Sequence, residues 1–174
     1  MSTSAHVFPG RIRSIHAQAR STGTPVHGNR GIKVIADTVI HRSAAELYEF
    51  CRRVENLPPV LGYPVTFTPV SERPDHWTVS VPFEGRQMQW STAIINDEPG
   101  RLIAWQSLDG APVPNAGTLR FEPIRGSVGT KVTAQVEFDP PGKLASIFSG
   151  MVRSKAKHHV ADALQRLKQE MEMS

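Results

Sequence analysis

Between Tyr63 and Phe138 apolar and polar residues alternate. Trp77, Val79, Val81 and Phe83 alternate with His76, Thr78, Ser80 and Glu84. Met88, Trp90, Thr92 and Ile94 alternate with Gln87, Gln89 and Ser91, and Ile103, Trp105 and Ser107 with Ala104 and Gln106. Leu119 and Phe121 then alternate with Thr118, Arg120 and Glu122, and Val132, Ala134, Val136 and Phe138 with Lys131, Thr133, Gln135 and Glu137. Successive side chains of a strand point to opposite faces, so this period predicts a meander of short antiparallel strands, dry on one face and wet on the other. Gly85, the stretch Asn96-Asp97-Glu98-Pro99-Gly100, and Gly126 with Gly129 supply the turns.

Either side of the meander the pattern changes. The β-branched run from Ile32 to Ile40 predicts a first strand. Ser43 followed by Glu46 is a capping box, opening a helix with Leu47, Phe50, Cys51 and Val54 on one stripe. Pro58 and Pro59 are expected to end the helical region, and Pro140-Pro141-Gly142 to close the sheet. Beyond lies a helical stretch of roughly 25–30 residues, long by ordinary standards. Phe148, Val152, Ala156, Val160, Ala163, Leu164, Leu167 and Met171 form its apolar stripe. A sheet with one dry face and one long amphipathic helix bury each other, which predicts an α+β domain over 32–174.

Composition adds one boundary. Of 20 basic residues, four (Arg11, Arg13, Arg20 and Arg30) lie in the first 31 positions, which hold no acid; from Ile32 onward 16 basic residues balance 16 acidic ones. The net charge of +4 therefore belongs to residues 1–31, read as a disordered basic tail because their few apolar residues follow no period. The neutral body argues against a nucleic-acid surface. No apolar run approaches the ~20 residues of a membrane span. The tail lacks the apolar stretch of a secretory signal, and its acid-free, Arg-rich make-up comes without the amphipathic stripe of a transit peptide. The single cysteine, Cys51, forms no internal disulfide and suits a reduced cytoplasm, the expected location.

At residue level the chain resembles the polyketide cyclase/dehydrase group of the SRPBCC superfamily (START-like, Bet v 1-like). The resemblance rests on Ile40 to Phe50 (IHRSAAELYEF), Val54 to Pro58 (VENLP), His76-Trp77 and Gln89-Trp90. It continues through Asp97 to Trp105 (DEPGRLIAW), Asn115 to Phe121 (NAGTLRF), Gly129 to Val132 (GTKV), Asp139 to Gly142 (DPPG) and Leu167 to Glu170 (LKQE). It covers the chain from Ile32 onward and implies a helix-grip fold. In that fold a curved antiparallel sheet of about six to seven strands wraps a long C-terminal helix, with two short helices after the first strand. It also implies a deep apolar cavity under that helix. Ser154 to His159 stand where relatives tend to carry a proline-containing stretch.

If the three indoles share the dry face, the alternation expects a ligand-binding set of Trp77, Val81, Trp90, Trp105, Asn115, Leu119, Phe121 and Val136, joined by Phe148 and Val152 of the helix. The polar members of that face, Thr92, Ser107 and Asn115, do not titrate near neutral pH, and His76, Glu84, Arg120, Glu122, Lys131 and Glu137 fall on the other parity. The expected function is therefore binding of a hydrophobic small molecule, without catalytic residue, cofactor or metal. One alternative is a cyclase or dehydratase acting on a polyketide-like substrate. Its weak candidates are Lys155 and His159, one helical turn apart. A second alternative is an interaction module whose Arg-rich tail meets an anionic surface or nucleic acid. His158 and His159 are adjacent and diverge, a poor metal pair, and the chain carries no phosphate loop, dinucleotide fingerprint or nucleophile elbow.

Overall fold

The computed structural model describes residues 31–83, 85–139 and 149–174. The basic tail before Gly31, the Pro140-Pro141-Gly142 stop and Phe148 lie outside the described residues. The chain runs β1 (Ile32–Ile40), α1 (Ala44–Arg52), a 3-10 turn (Val54–Asn56), α2 (Leu57–Leu61), β2 (Thr66–Pro69), β3 (His76–Phe83) and β4 (Arg86–Glu98). It continues with β5 (Leu102–Ser107), β6 (Asn115–Pro123), β7 (Thr130–Phe138) and α3 (Ser149–Met173). The strands form one seven-stranded sheet in the order β1-β7-β6-β5-β4-β3-β2, every pair antiparallel. This is the expected α+β helix-grip arrangement.

The capping box is formed. Ser43 Oγ accepts from the Glu46 backbone N–H, and Glu46 Oε2 accepts from the Ser43 hydroxyl at 2.7 Å and from the Ser43 N–H at 2.9 Å; the hydroxyl first, then the N–H, hold the Glu46 carboxyl below its usual range. The prolines behave differently from the expectation: Pro58 and Pro59 sit in the first turn of α2 rather than ending a helix. Their missing N–H groups cost nothing there, because a first-turn N–H has no intrahelical acceptor. The left-handed Gly62, at φ 73°, ends α2 and donates to the Pro58 carbonyl. A Cβ at Gly62 would collide with the Arg166 guanidinium, which donates to the Leu61 carbonyl at 3.3 Å and joins α2 to α3.

Directly paired residues share a face, so the register sorts the sheet into rows. One row reads Ile94, Trp105, Gly117, Val136, Val34; the next reads Asp97, Ile103, Leu119, Ala134, Ala36. This inner face meets the helices. Ile103, Phe121, Val132 and Ala134 pack with Leu47, Tyr48 and Cys51 of α1 and with Leu164, Leu167 and Met171 of α3. Each such large side chain contributes about 1.5–3 kcal/mol by leaving water. A separate cluster, Val65, Val79 and Val81 with Leu61, Phe67, Met88 and Trp90, fills the β2–β4 end.

Polar clamps hold α3 to the start of the chain. Arg42 donates to the Met171 and Ser174 carbonyls at 2.6 and 2.5 Å, a cation at the negative end of the helix. Glu172 accepts from the His41 backbone N–H, and Lys168 Nζ donates to the Val39 carbonyl at 2.7 Å, covering an edge-strand acceptor. The outer face carries the pairs Lys33–Glu137 and Lys131–Asp37, each at 3.6 Å. It is not uniformly wet: Leu102, Ala104 and Gln106 are buried there. Phe83 has inner-face parity yet is 57% exposed, because β3 runs past its cover toward the hairpin at Gly85. Among the described residues no helix is long and apolar enough to cross a membrane.

Candidate functional site

The expected orientation of the three indoles is found. Trp77 lies opposite Thr92, Trp90 opposite Val79 and Trp105 opposite Ile94, which puts all three on the face that carries Ile103 and Phe121. All three are half-buried, as are Asn115, Leu119 and Val136 on the same face and Val152 on α3; Val81 and Phe121 are buried. The Trp105 indole lies over Gly117, where a Cβ would come within 2.2 Å of the ring. α3 packs chiefly on β1 and α2 rather than on the aromatic stretch of β3–β5, whose three indoles stay half-buried.

The polar residues of this face are engaged locally. Thr92 donates to the Gln106 carbonyl at 2.9 Å, Ser107 Oγ accepts from the Asn115 backbone N–H at 2.9 Å, and the Asn115 amide donates to the Val113 carbonyl. Each satisfies a backbone group at the sheet's end, where an unpaired one would be costly.

One expectation is corrected. The sheet does offer ionisable groups to the inner face, because β4 is bulged at Ile95: Ile94 pairs with Trp105, but Asn96 pairs with Ala104. The surplus residue reverses parity beyond it and gives Asp97, opposite Ile103, inner-face parity, although the residue stays exposed near the end of the strand. Asp97 accepts from Tyr48 Oη at 2.6 Å and from Arg52 Nε at 2.7 Å. Arg52 Nη2 also pairs with Asp75, whose carbonyl accepts from the Ile94 N–H at 2.9 Å. Tyr48 and Arg52 are four residues apart, hence on one face of α1. The Tyr48 ring meets Phe121 edge-on at 6.2 Å. Burial, then the hydrogen bond and negative charge of Asp97, push its phenol up to about 12.

Tyr48, Arg52, Asp75 and Asp97 were not singled out from sequence. The available signal was the pair Ile94-Ile95, two apolar neighbours where strict alternation requires one. The turn expected over Asn96 to Gly100 begins only after Glu98, because β4 continues through that residue.

The weak catalytic pair is turned to solvent. Lys155 and His159 are both exposed on α3, and it is His158 that pairs with Asp162, at 3.4 Å. Cys51 is buried, and desolvation pushes its thiol up to about 12, the setting of a packing residue rather than a nucleophile. Among the described residues no group of three or more His, Cys, Asp or Glu could hold a metal ion.

Residues 31–172 match the family described as polyketide cyclase/dehydrase and lipid transport. Among solved structures, a protein from Deinococcus radiodurans is 27% identical with a TM-score of 0.63, over 81% of this chain and 98% of that one. The Zhui aromatase/cyclase from Streptomyces is 18% identical with a TM-score of 0.63, over 82% and 94%. A protein from Thermus thermophilus is 17% identical with a TM-score of 0.65, over 79% and 94%. No curated protein matches the chain.

Proposed function

The chain belongs to the polyketide cyclase/dehydrase and lipid transport family, and on that premise we propose that the aromatic stretch of its inner face forms a trough that holds a hydrophobic small molecule, ring-containing or acyl. The observation that carries this reading is the set of three half-buried indoles on one face beside the long helix. Exposed ring surface among packed neighbours is what an apolar ligand covers. Covering a few hundred Å² at ~25 cal/mol per Å² gives several kcal/mol before association costs, a useful affinity without chemistry.

A second reading, a cyclase or dehydratase acting on a polyketide-like chain, draws support from the likeness to an aromatase/cyclase fold and from Tyr48, Arg52, Asp75 and Asp97 at one end of the trough. Native mass spectrometry of the purified full chain separates the readings. Binding predicts an apolar mass adduct that exchanges unchanged for a competing ligand. An adduct released as a dehydrated or cyclised product favours the enzyme, and a full chain that takes up no apolar compound refutes both.

A further inference from the structure

We propose that Arg52 is a positioning residue for the trough: by gripping Asp75 and Asp97 together it fixes where Trp77 stands. The inference rests on the ligand-binding reading above. Asp75 lies in the turn that leads into β3 and Asp97 near the end of β4, and α1 lays a single guanidinium across the two carboxylates. Asp75 occupies left-handed backbone, at φ 65°, as does Glu72 of the same turn, at φ 63°. Non-glycine residues enter that region at a cost and stay there when their surroundings hold them. The Asp75 carboxylate on Arg52 and its carbonyl on the Ile94 N–H are that hold. Trp77 follows two residues later as the second residue of β3, so movement at Asp75 passes to the start of the strand that carries the indole. A guanidinium can serve two acids at once through separate N–H groups, whereas a lysine ammonium lacks that fixed fork.

The test uses the full chain labelled with fluorotryptophan, whose three fluorine resonances are assigned by single Trp→Phe variants, together with titration by the neutral dye Nile red. Arg52→Met is expected to move the Trp77 resonance, leave that of Trp105 in place, and weaken dye binding about tenfold. Asp75→Asn, a milder change that keeps Arg52 on Asp97, is expected to repeat the pattern. A Trp77 resonance unmoved in both variants overturns the inference, and so does dye affinity equal to wild type. A wild-type chain that takes up no dye overturns the ligand-binding reading instead, whatever the Trp77 resonance does.

Discussion

Gly117 shows how tightly single residues are specified on the inner face. Its missing side chain is the seat of the Trp105 ring. Gly117→Ala must therefore displace the indole or the strand, and overpacking of this kind costs about 1–3 kcal/mol. The expected outcome is a lowered melting temperature with a shifted Trp105 fluorescence; an unchanged spectrum would mean that the ring does not rest there. Nothing in the sequence announced this contact. A glycine within a strand pattern signals a close approach, but not by which residue. Gln106 is similar. Its alternation reads as wet, yet its amide nitrogen is buried without a hydrogen-bond partner among the described residues. The parity of a position follows from backbone geometry and is legible, whereas its burial depends on what else the fold lays over it.

At the scale of elements, α1 concentrates the titratable chemistry of the interior. The Tyr48 phenol and the Cys51 thiol are both pushed up to about 12, from ordinary values of 10.0 and 9.0. Each raised value means that the folded state favours the neutral, protonated form. The associated stability is complete below the unfolded values and is lost as pH climbs toward 12. Thermal midpoints are therefore expected to hold steady to about pH 9 and to fall from there to about pH 12. Tyr48→Phe should make that fall shallower, and midpoints independent of alkaline pH would contradict the burial of both groups. The strands, the capping box and α3 were legible because each follows from local periodicity or a local cap. α2 was misjudged at Pro58 and Pro59, since proline starts a helix as readily as it stops one. The bulge was invisible to parity counting, and the charged cluster was lost with it.

For the whole molecule, the sequence contained the main decision: one dry face, one long amphipathic helix, and aromatic residues of common parity between them. It could not show that α3 leans on β1 and α2, because that depends on partners distant in the chain. Since the sheet begins at Ile32 and the family match at residue 31, removal of residues 1–30 is expected to leave the midpoint of thermal unfolding unchanged. A large drop would make the tail part of the folded unit. Ile95, finally, bears on how relatives are compared. A bulge absorbs an extra residue in place, much as a spliced-out insertion leaves a reading frame intact, so a cousin with one residue fewer here can keep an identical interior. Ungapped alignment across this point would pair lining positions with solvent positions. It would make an inherited acid look like a new one.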